Sequence, residues 1–405
     1  MVQQKRTNRI LFICLFSLVF LTACGQNTAD AESTLSAGDT VSVTDISANA
    51  EPESEPESES EPETDADADV GAGAETETPD ANNPYDFTIC FAGDVNLDDE
   101  RELMQFYDSR ENGLSDCISE ELLAHMNEVD IMCLNNEFTY SLRGEPLEGK
   151  RYTFRANPER VAILQEMGVD IVKLANNHVY DYGSEALTDT LDTLAGAGIA
   201  YMGAGHNLEE AMEPVYVELD GKTVAFVAAS RAEKNFKTPQ ATEEEPGILL
   251  CYDTALFLET IKEANANADF VIAYVHWGTE YSYELEEVQL TTGKEYLDAG
   301  ADAVIGAHAH YIQGMEYYDG KPIVYGLGNY WFNDKERDTM LVDLHFFGDD
   351  DGGQLEVKVI PAKQADFCTT DVPDTEERER IFTFLEDISV NVEIDEEGMV
   401  TERDE

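Results

Sequence analysis

Short apolar runs alternate with longer amphipathic stretches through most of the chain after residue 85. Continuous runs rich in β-branched residues predict buried strands, and stretches with apolar residues three and four positions apart predict helices between them. The predicted strands are residues 86–93, 129–134, 169–175, 223–230, 270–276, 303–307 and 322–327. The predicted helices are residues 157–167, 184–197, 254–266 and 286–299. This alternation predicts an α/β fold.

The pattern changes after Met340, and the change bears on where the domain ends. Residues 341–347 and 355–360 are predicted strands, and residues 376–388 are a predicted helix. The segment after Asp395 is polar, and we expect it to be frayed. We therefore expect a main domain at residues 86–332, which residues 333–405 complete with strands and a helix.

The first 23 residues have the pattern of a secretory signal. Three basic residues precede an apolar run at residues 10–20, and the sequence Leu-Thr-Ala-Cys then ends at Cys24. This ending resembles a bacterial lipobox, in which the cysteine is lipidated and becomes the first residue of the mature protein. The alternative is an uncleaved membrane anchor, but the apolar stretch is shorter than the ~20 residues that span a bilayer. We expect lipid on Cys24 to anchor the protein to the outer face of the cell membrane.

Residues 24–85 form an acidic segment whose composition differs from that of the rest. Between Gly25 and Asp86 there are 18 aspartates and glutamates and no lysine or arginine. Such a segment buries too little apolar surface to fold, and its like charges extend it, so we expect a disordered tether. The whole chain has 85 acidic and 25 basic residues and a net charge of −60. This balance argues against a nucleic-acid partner, because phosphate backbones require basic surfaces.

The cysteines do not form a pattern typical of disulfides or zinc fingers. Cys90 and Cys133 lie within apolar, strand-like runs, and no CxxC pair is present. Buried free thiols are therefore predicted in the folded part of the chain.

Polar side chains follow five of the predicted strands, at the point where each strand ends. In an α/β sheet, ligands bind beyond the carboxyl ends of the strands. One such residue alone would be a helix cap, a turn residue or a hydrogen-bonded histidine, but five endings of this kind predict a site. Four of the seven histidines of the chain belong to this set. Its members are Asp94, Asn96, Glu137, Asn177, His178, Asp181, His276, His308 and His310.

The residue types in this set indicate a metal centre. Imidazole, carboxylate and amide oxygen together suit divalent Mn, Fe or Zn better than Mg or Ca, which prefer oxygen ligands alone. The set holds more than four candidate ligands, which predicts two ions, and two ions can clamp a phosphoryl group. The chain has no GxxxxGK[ST] loop and no GxSxG elbow, so nucleotide-driven work and acyl chemistry have little support.

The order of the motifs resembles a known family. The sequence reads GDV at 93–95, NNE at 135–137, LANNHVYDYG at 174–183, VHWGTE at 275–280, and GAHAHYIQGMEYYDGKPIVYGLGNYWF at 306–332. This series resembles the CapA family of bacterial poly-γ-glutamate capsule biosynthesis proteins, which are similar to calcineurin-like metallophosphoesterases. The resemblance implies a four-layer α/β/β/α sandwich of two sheets with helices outside, and a centre of two metal ions.

For the first ion, the resemblance implies that Asp94 and His310 are ligands and that Glu137 bridges to the second ion. Two residues depart from the superfamily pattern here. Asn96 stands where the motif Asp-x-His has its histidine, and it is a weaker candidate ligand. Glu137 stands where the bridging aspartate is expected.

For the second ion, the resemblance implies Asn177, His276 and His308 as ligands. It places His178 beside the scissile phosphate, where it can stabilise the transition state or protonate the leaving oxygen. Asp181 is the acid that follows the Asn-His pair, three residues on instead of one. We take His178 and Asp181 as the candidate catalytic residues.

A basic cluster lies between the second and third of these motifs. Arg143, Lys150, Arg151 and Arg155 are close in sequence within an otherwise acidic domain. Arg151 and Arg155 are candidates to bind an anionic substrate. The alternative is that the cluster is ordinary surface charge.

Three functions are consistent with these features. The first is a lipid-anchored, metal-dependent phosphoester hydrolase that acts in making or anchoring a surface polymer such as poly-γ-glutamate. The second is a non-catalytic accessory subunit that binds polymer or stabilises a membrane synthase complex. The third is a secreted nucleotidase or general phosphatase. The polymer role rests on the family resemblance alone, because a fold does not determine a function.

Overall fold

The computed structural model describes residues 84–233 and 237–403. The predicted signal at 1–23, the lipidation of Cys24 and the tether up to residue 83 lie outside the described residues. Within the described part, no helix is both long enough and apolar enough to cross a membrane.

Most of the described chain is β-structure. The strands are β1 (Tyr85–Val95), β2 (Ile131–Asn136), β3 (Thr139–Tyr140), β4 (Arg155–Ala156), β5 (Ile171–Lys173), β6 (Ala200–Met202), β7 (Ala204–Gly205), β8 (Val215–Leu219), β9 (Lys222–Ser230), β10 (Gly247–Ile248), β11 (Phe270–His276), β12 (Ala303–Ala307), β13 (Ile312–Tyr318), β14 (Lys321–Leu327), β15 (Asn329–Trp331), β16 (Arg337–Asp349), β17 (Gly352–Ala365), β18 (Cys368–Asp371), β19 (Val392–Ile394) and β20 (Met399–Glu402).

Helices connect these strands. They are α1 (Glu102–Asp108), α2 (Glu120–Glu128), α3 (Val161–Glu166), α4 (Gly183–Ala197), α5 (Leu208–Met212), α6 (Ala255–Asn267), α7 (Glu287–Asp298) and α8 (Thr375–Asp387), with short 3-10 helices at Gly113–Asp116 and Pro158–Arg160. Gly198 ends α4 with a left-handed φ of 74°, a conformation that costs glycine little.

The strands form two principal sheets. The larger sheet has the order β19-β20-β17-β16-β1-β2-β5-β6, with β15 beside β1 and β18 beside β17. Its strands β1, β2, β5 and β6 run parallel to one another, and β16 runs antiparallel to β1. The smaller sheet has the order β13-β14-β12-β11-β9-β8 and a parallel centre. In both sheets the parallel strands end at the edge that carries the predicted site.

The two sheets pack face to face around one apolar core. Phe91 of β1 meets Tyr274 of β11 edge to face at 5.6 Å, and Phe87 and Phe346 of the larger sheet pack against Phe270 of the smaller one. A second core lies between the larger sheet and helices α1 to α4, and a third lies between the smaller sheet and helices α6 and α7. The predicted four-layer α/β/β/α sandwich is confirmed.

The sequence pattern located the central strands well and the C-terminus less well. The predicted strands at 270–276 and 303–307 match β11 and β12 residue for residue. The prediction that the chain frays after Asp395 is wrong for residues 399–402. They form β20, which pairs with β17 and β19 and buries Val400. Only one residue of this strand is buried, so the sequence of the segment is mostly polar and resembles that of a frayed end.

The predicted thiols are confirmed within the described residues. Cys90, Cys117, Cys133 and Cys251 are buried and unpaired, and Cys368 is partly buried.

We predict that Gly93→Ala destabilises the protein, because the backbone of Gly93 lies directly against the backbone of Gly328. A methyl group at Gly93 would lie 1.9 Å from the carbonyl oxygen of Gly328, at the point where the Asp94 N–H donates to that oxygen. Overpacking of this kind costs about 1–3 kcal/mol or more of unfolding free energy. Denaturant titration measures the loss. Gly352→Ala is the control, since nothing lies within 4 Å of a methyl group there; equal stability of the two variants would contradict the close approach.

Candidate metal centre

The strand endings of both sheets meet at one buried site. From the larger sheet come Asp94 of β1, Glu137 directly after β2, and Asn177 and His178 after β5. From the smaller sheet come His276, the last residue of β11, and the two histidines that follow β12. All of these side chains are at most 7% exposed, as are Asn96 and Asp181; the set is Asp94, Asn96, Glu137, Asn177, His178, Asp181, His276, His308 and His310. The structure therefore brings these strand endings together, and the role of each side chain as a ligand or catalytic residue stays a prediction.

Two carboxylates form the floor of the site. The Asn135 amide donates one hydrogen bond to Asp94 Oδ1 at 2.7 Å and another to Glu137 Oε2 at 2.9 Å. The Asn176 amide donates to Asn135 Oδ1 at 3.1 Å and so orients Asn135. Glu137 Oε1 is buried and accepts no hydrogen bond from a described residue. A buried acceptor without a partner costs folding free energy, so a cation beside this oxygen would stabilise the site.

The histidines face these carboxylates. His276 Nε2 lies 2.9 Å from Asn177 Oδ1 and 3.1 Å from His308 Nδ1, and it is 3.9 Å from the unpaired Glu137 oxygen. His310 Nδ1 lies 2.7 Å from Asn329 Oδ1 and 3.2 Å from Asp94 Oδ2. His308 and His310 have positive φ angles of 100° and 57°, which non-glycine residues rarely adopt. Backbone strain of this kind is concentrated at functional sites.

Two groups of possible metal ligands share one residue. Ligand atoms of Glu137, His276 and His308 lie within 4.8 Å of one another, and so do those of Asp94, Glu137 and His310. Glu137 belongs to both groups, as a bridging ligand between two adjacent ions would. This arrangement of donors fits the two-ion centre that the sequence predicts, without identifying the metal.

The electrostatics of the site favour a cation. Burial, and then the charge of Asp94, raises the pKa of Glu137 well above its usual value. Burial acts to raise the pKa of Asp94 too, but contact with His310 and the charge of Lys173 outweigh it, so this pKa is lowered. Burial lowers the pKa of His276 well below its usual value and that of His308 to about 3. Neutral imidazoles with available lone pairs beside buried carboxylates are the form that binds a metal.

Lys173 was not predicted to belong to the site, yet it directly contacts one of the site's histidines. Lys173 is fully buried on β5, and its Nζ lies 2.7 Å from His276 Nδ1 and 4.7 Å from the centre of the Tyr274 ring. Burial lowers its pKa to about 7, although Asp94 and Glu137 oppose the shift. Lys173 is thus a buried hydrogen-bonded partner of the histidine that faces the carboxylates.

His178 is oriented by Asp181. His178 Nδ1 lies 2.7 Å from Asp181 Oδ2, which leaves Nε2 on the side of the site, 3.9 Å from Glu137 Oε1. Asp181 Oδ1 is 2.7 Å from Lys150 Nζ, and that ammonium also contacts Glu233 and the carbonyl oxygen of Asn177. Lys150 is therefore a buried part of the site, whereas its sequence context allowed a simple surface charge.

The structure does not bring every candidate residue into this group. Asn96 is buried, but its side-chain oxygen accepts from the Asp98 N–H at 2.9 Å, and its role as a ligand stays a prediction. Arg155 stacks on the Tyr182 ring at 4.1 Å and donates to two main-chain carbonyls. Arg151 lies over the Tyr152 ring at 4.9 Å. Neither arginine contacts the carboxylates or histidines of the described site, so substrate binding by them stays a prediction.

A second cluster of possible ligands lies away from this site. Cys90 and Asp343 of the larger sheet meet His125 of α2. His125 Nε2 already lies 3.0 Å from Asp343 Oδ1, and burial raises the pKa of the Cys90 thiol well above its usual value. A protonated thiol and an engaged carboxylate are typical of a structural hydrogen-bond network.

Comparison with known proteins gives a consistent result. The profile of a family described as "Bacterial capsule synthesis protein PGA_cap" matches residues 88–334. The chain is 33% identical to PGA biosynthesis protein CapA of Bacillus subtilis over 220 residues, which are 53% of this chain and 57% of that one. It is 31% identical to capsule biosynthesis protein CapA of Bacillus anthracis over 242 residues, 58% of each chain. The chain thus spans a little more than half the length of these relatives.

Among solved structures, the chain is similar to a hypothetical protein from Thermus thermophilus. The sequence identity is 15% and the TM-score is 0.37, over 66% of this chain and 99% of that one.

We predict that Glu137→Gln changes how the stability of the metal-free protein depends on pH. Because the folded state raises the pKa of Glu137, its contribution to stability is complete below the usual value of 4.5 and is lost as pH rises through the folded pKa. Each unit of the shift corresponds to about 1.4 kcal/mol. Between pH 5 and pH 8, in chelator, the wild type should therefore lose more unfolding free energy than Glu137→Gln.

Denaturant titrations at several pH values measure this difference. Glu209→Gln is the control, since Glu209 lies on α5, away from the site, and should follow the wild type. If the unfolding free energy of the wild type and of Glu137→Gln changed equally with pH, this would contradict a buried carboxyl group with a raised pKa.

Proposed function

The chain belongs to the bacterial capsule synthesis protein PGA_cap family, and on this premise we propose that it is a metal-dependent phosphoester hydrolase. Its process would be the synthesis or anchoring of an anionic surface polymer of the poly-γ-glutamate type. The observation that carries the proposal is the pair of ligand groups that share Glu137 between the ends of the two sheets.

The residues of the site would form two sets of ligands, one for each of two ions. Asp94 and His310 would hold one ion, His276, His308 and Asn177 would hold the other, and Glu137 would join them. When bound, divalent cations polarise a phosphoryl oxygen and lower the pKa of a water molecule. Asn135 and Lys173 would keep Asp94, Glu137 and His276 in place, as hydrogen-bonded partners of ligands do.

His178 would move the proton. In the imidazolium form its Nδ1–H donates to Asp181, and its Nε2–H faces the site. Water gives up one proton to solvent and forms the new P–O bond, the bond to the leaving oxygen breaks, and His178 Nε2–H supplies the proton that this oxygen needs. A proton from solvent then restores the imidazolium. Lys150 Nζ pairs with Asp181 Oδ1 and fixes this carboxylate, so that Asp181 positions the imidazole.

A second function is favoured by one residue. The Asn96 oxygen accepts a hydrogen bond from the Asp98 N–H. The first ion would therefore lack the strong ligand that a histidine at this position would provide. A weakly loaded centre favours a non-catalytic accessory subunit that binds polymer or stabilises a membrane synthase complex. Under either function we propose that lipid on Cys24 holds the protein at the outer face of the membrane.

We predict that the purified protein binds close to two Mn, Fe or Zn ions per chain and hydrolyses a phosphodiester. Elemental analysis and a chromogenic phosphodiester measure these properties. His308→Ala should lose both the metal at one position and the activity, because it removes a neutral imidazole donor. A protein without metal or turnover after each ion is supplied would favour the accessory subunit.

We predict that His178→Ala lowers turnover by about 10²- to 10⁴-fold, the usual contribution of a general acid, while the metal content stays unchanged. Turnover and metal content are measured on the same preparation. His206→Ala is the control, because His206 is exposed and pairs with Glu210 on α5, away from the site. Loss of metal in His178→Ala would contradict its assignment as a residue that does not bind the ions.

A further inference from the structure

A series of aromatic rings borders the candidate metal centre. Tyr281 lies 5.3 Å from His310, His310 lies 4.9 Å from Phe332, Phe332 lies 5.7 Å from Phe154, and Phe154 lies 4.4 Å from His178, all between ring centres. The series runs from one sheet's histidines to the other's. Its Tyr281 end is open to solvent, since Tyr281 is 52% exposed.

We call this series of rings the aromatic wall. An arginine extends the aromatic wall beyond Tyr281. Arg337, the first residue of β16, has its guanidinium carbon 5.2 Å from the centre of the Tyr281 ring and 4.5 Å from that of Tyr311. The Nε atom of Arg337 is buried and has no hydrogen-bond acceptor among the described residues. A buried donor of this kind, on a group that is always charged, is costly unless a ligand satisfies it.

Two of the acidic side chains nearby are engaged elsewhere. Asp338, the next residue, pairs with Arg380 at 2.7 Å, and Glu377 pairs with both Arg380 and Lys363. Within the described part of the chain, Arg337 forms no ion pair. Its buried Nε, its lack of an ion pair and its place at the end of the rings that border the metal centre together make Arg337 available to an external anion.

We propose that Arg337, held between Tyr281 and Tyr311, binds a carboxylate of an acidic polymer chain that lies along the aromatic wall. The proposal deepens the function proposed above and rests on it. Both the Arg337 guanidinium and His310 contact the Tyr281 ring, and Arg337 forms no ion pair with Asp94 or Glu137, so an anion on Arg337 is a different group from one held at those carboxylates. A ligand that satisfies both positions carries repeated negative charges.

The chemistry of Arg337 fits a carboxylate. The guanidinium presents a planar fork that matches the two oxygens of a carboxylate, and one positive charge balances one negative charge. The two flanking rings hold the guanidinium in place by stacking against it. A γ-linked glutamate chain carries one carboxylate on every residue, and therefore offers such a group at whichever register it crosses the wall.

The other end of the wall also has arginines against aromatic rings, and one of them, Arg101, pairs with Asp98 at 3.1 Å. The Arg101 guanidinium lies 5.1 Å from the centre of the Phe154 ring and 5.6 Å from that of Tyr152, and Arg151 lies over the same Tyr152 ring. Tyr152 is 44% exposed. A polyanion that crosses the site thus meets guanidinium groups on both sides of the metal centre.

The test is the affinity of the purified full-length protein for fluorescently labelled oligo-γ-glutamate, measured by anisotropy at fixed salt. Arg337→Ala should weaken binding by about tenfold, as the loss of an interface arginine does. Arg337→Lys should restore only part of it, because lysine keeps the charge and loses the fork. Arg110→Ala is the matched control, since Arg110 is an exposed arginine that stacks on Phe106 at 4.1 Å, and it should bind within about twofold of the wild type.

Two further measurements separate this proposal from others. Metal content and turnover of a small phosphodiester should be unchanged in Arg337→Ala, which also shows that the variant is folded. A protein that turns over no phosphoester yet loses polymer binding in Arg337→Ala would overturn the hydrolase and keep the subsite. Unchanged affinity in Arg337→Ala, no binding by the wild type, or equal dependence on Arg337 for linear polyphosphate would overturn the carboxylate subsite.

Discussion

Two carboxylates that are buried side by side determine how the rest of the site is built. Asp94 and Glu137 end neighbouring strands, are shielded from water and share the single amide of Asn135. Buried like charges are unfavourable unless positive charge or hydrogen bonds compensate them. Lys173, His310 and the neutral His276 surround them, yet one Glu137 oxygen stays without a partner among the described residues. The raised pKa of Glu137 lets a proton relieve this repulsion in the metal-free protein, and a cation could take the place of that proton.

The two-sheet architecture brings these groups together. Each sheet is parallel at its centre, so its strands deliver side chains to the same edge, and face-to-face packing sets the two edges against each other. Close backbone contacts make this possible at Gly93 beside Gly328 and at Gly306 beside the Tyr325 carbonyl, where a side chain would not fit. The strained backbone of His308 and His310 then turns both imidazoles toward the carboxylates. The stability of the core thus offsets the strain that positions the site.

The sequence allowed the fold class, the central strands and the converging polar endings to be predicted, because buried strands and the residues after them have a strong pattern. It did not reveal the roles of Lys150 and Lys173. Lysine is almost always exposed, so burial of these two depends on partners that are distant in the chain, Asp181 for one and His276 for the other. Arg337 was missed for a similar reason, since its ring partners lie 26 and 56 residues earlier. Asn329 was inside a recognised motif, but only the structure shows that it contacts His310.

The central claim is that Glu137 joins two adjacent cation positions. Anomalous diffraction from crystals grown with saturating Mn²⁺ tests it most directly, because it locates the ions independently of any activity. The account predicts two peaks about 3.5–4 Å apart, one beside Asp94 and His310 and one beside His276 and His308, both in contact with Glu137. Fully occupied Mn²⁺ positions of which none contacts Glu137 would contradict it.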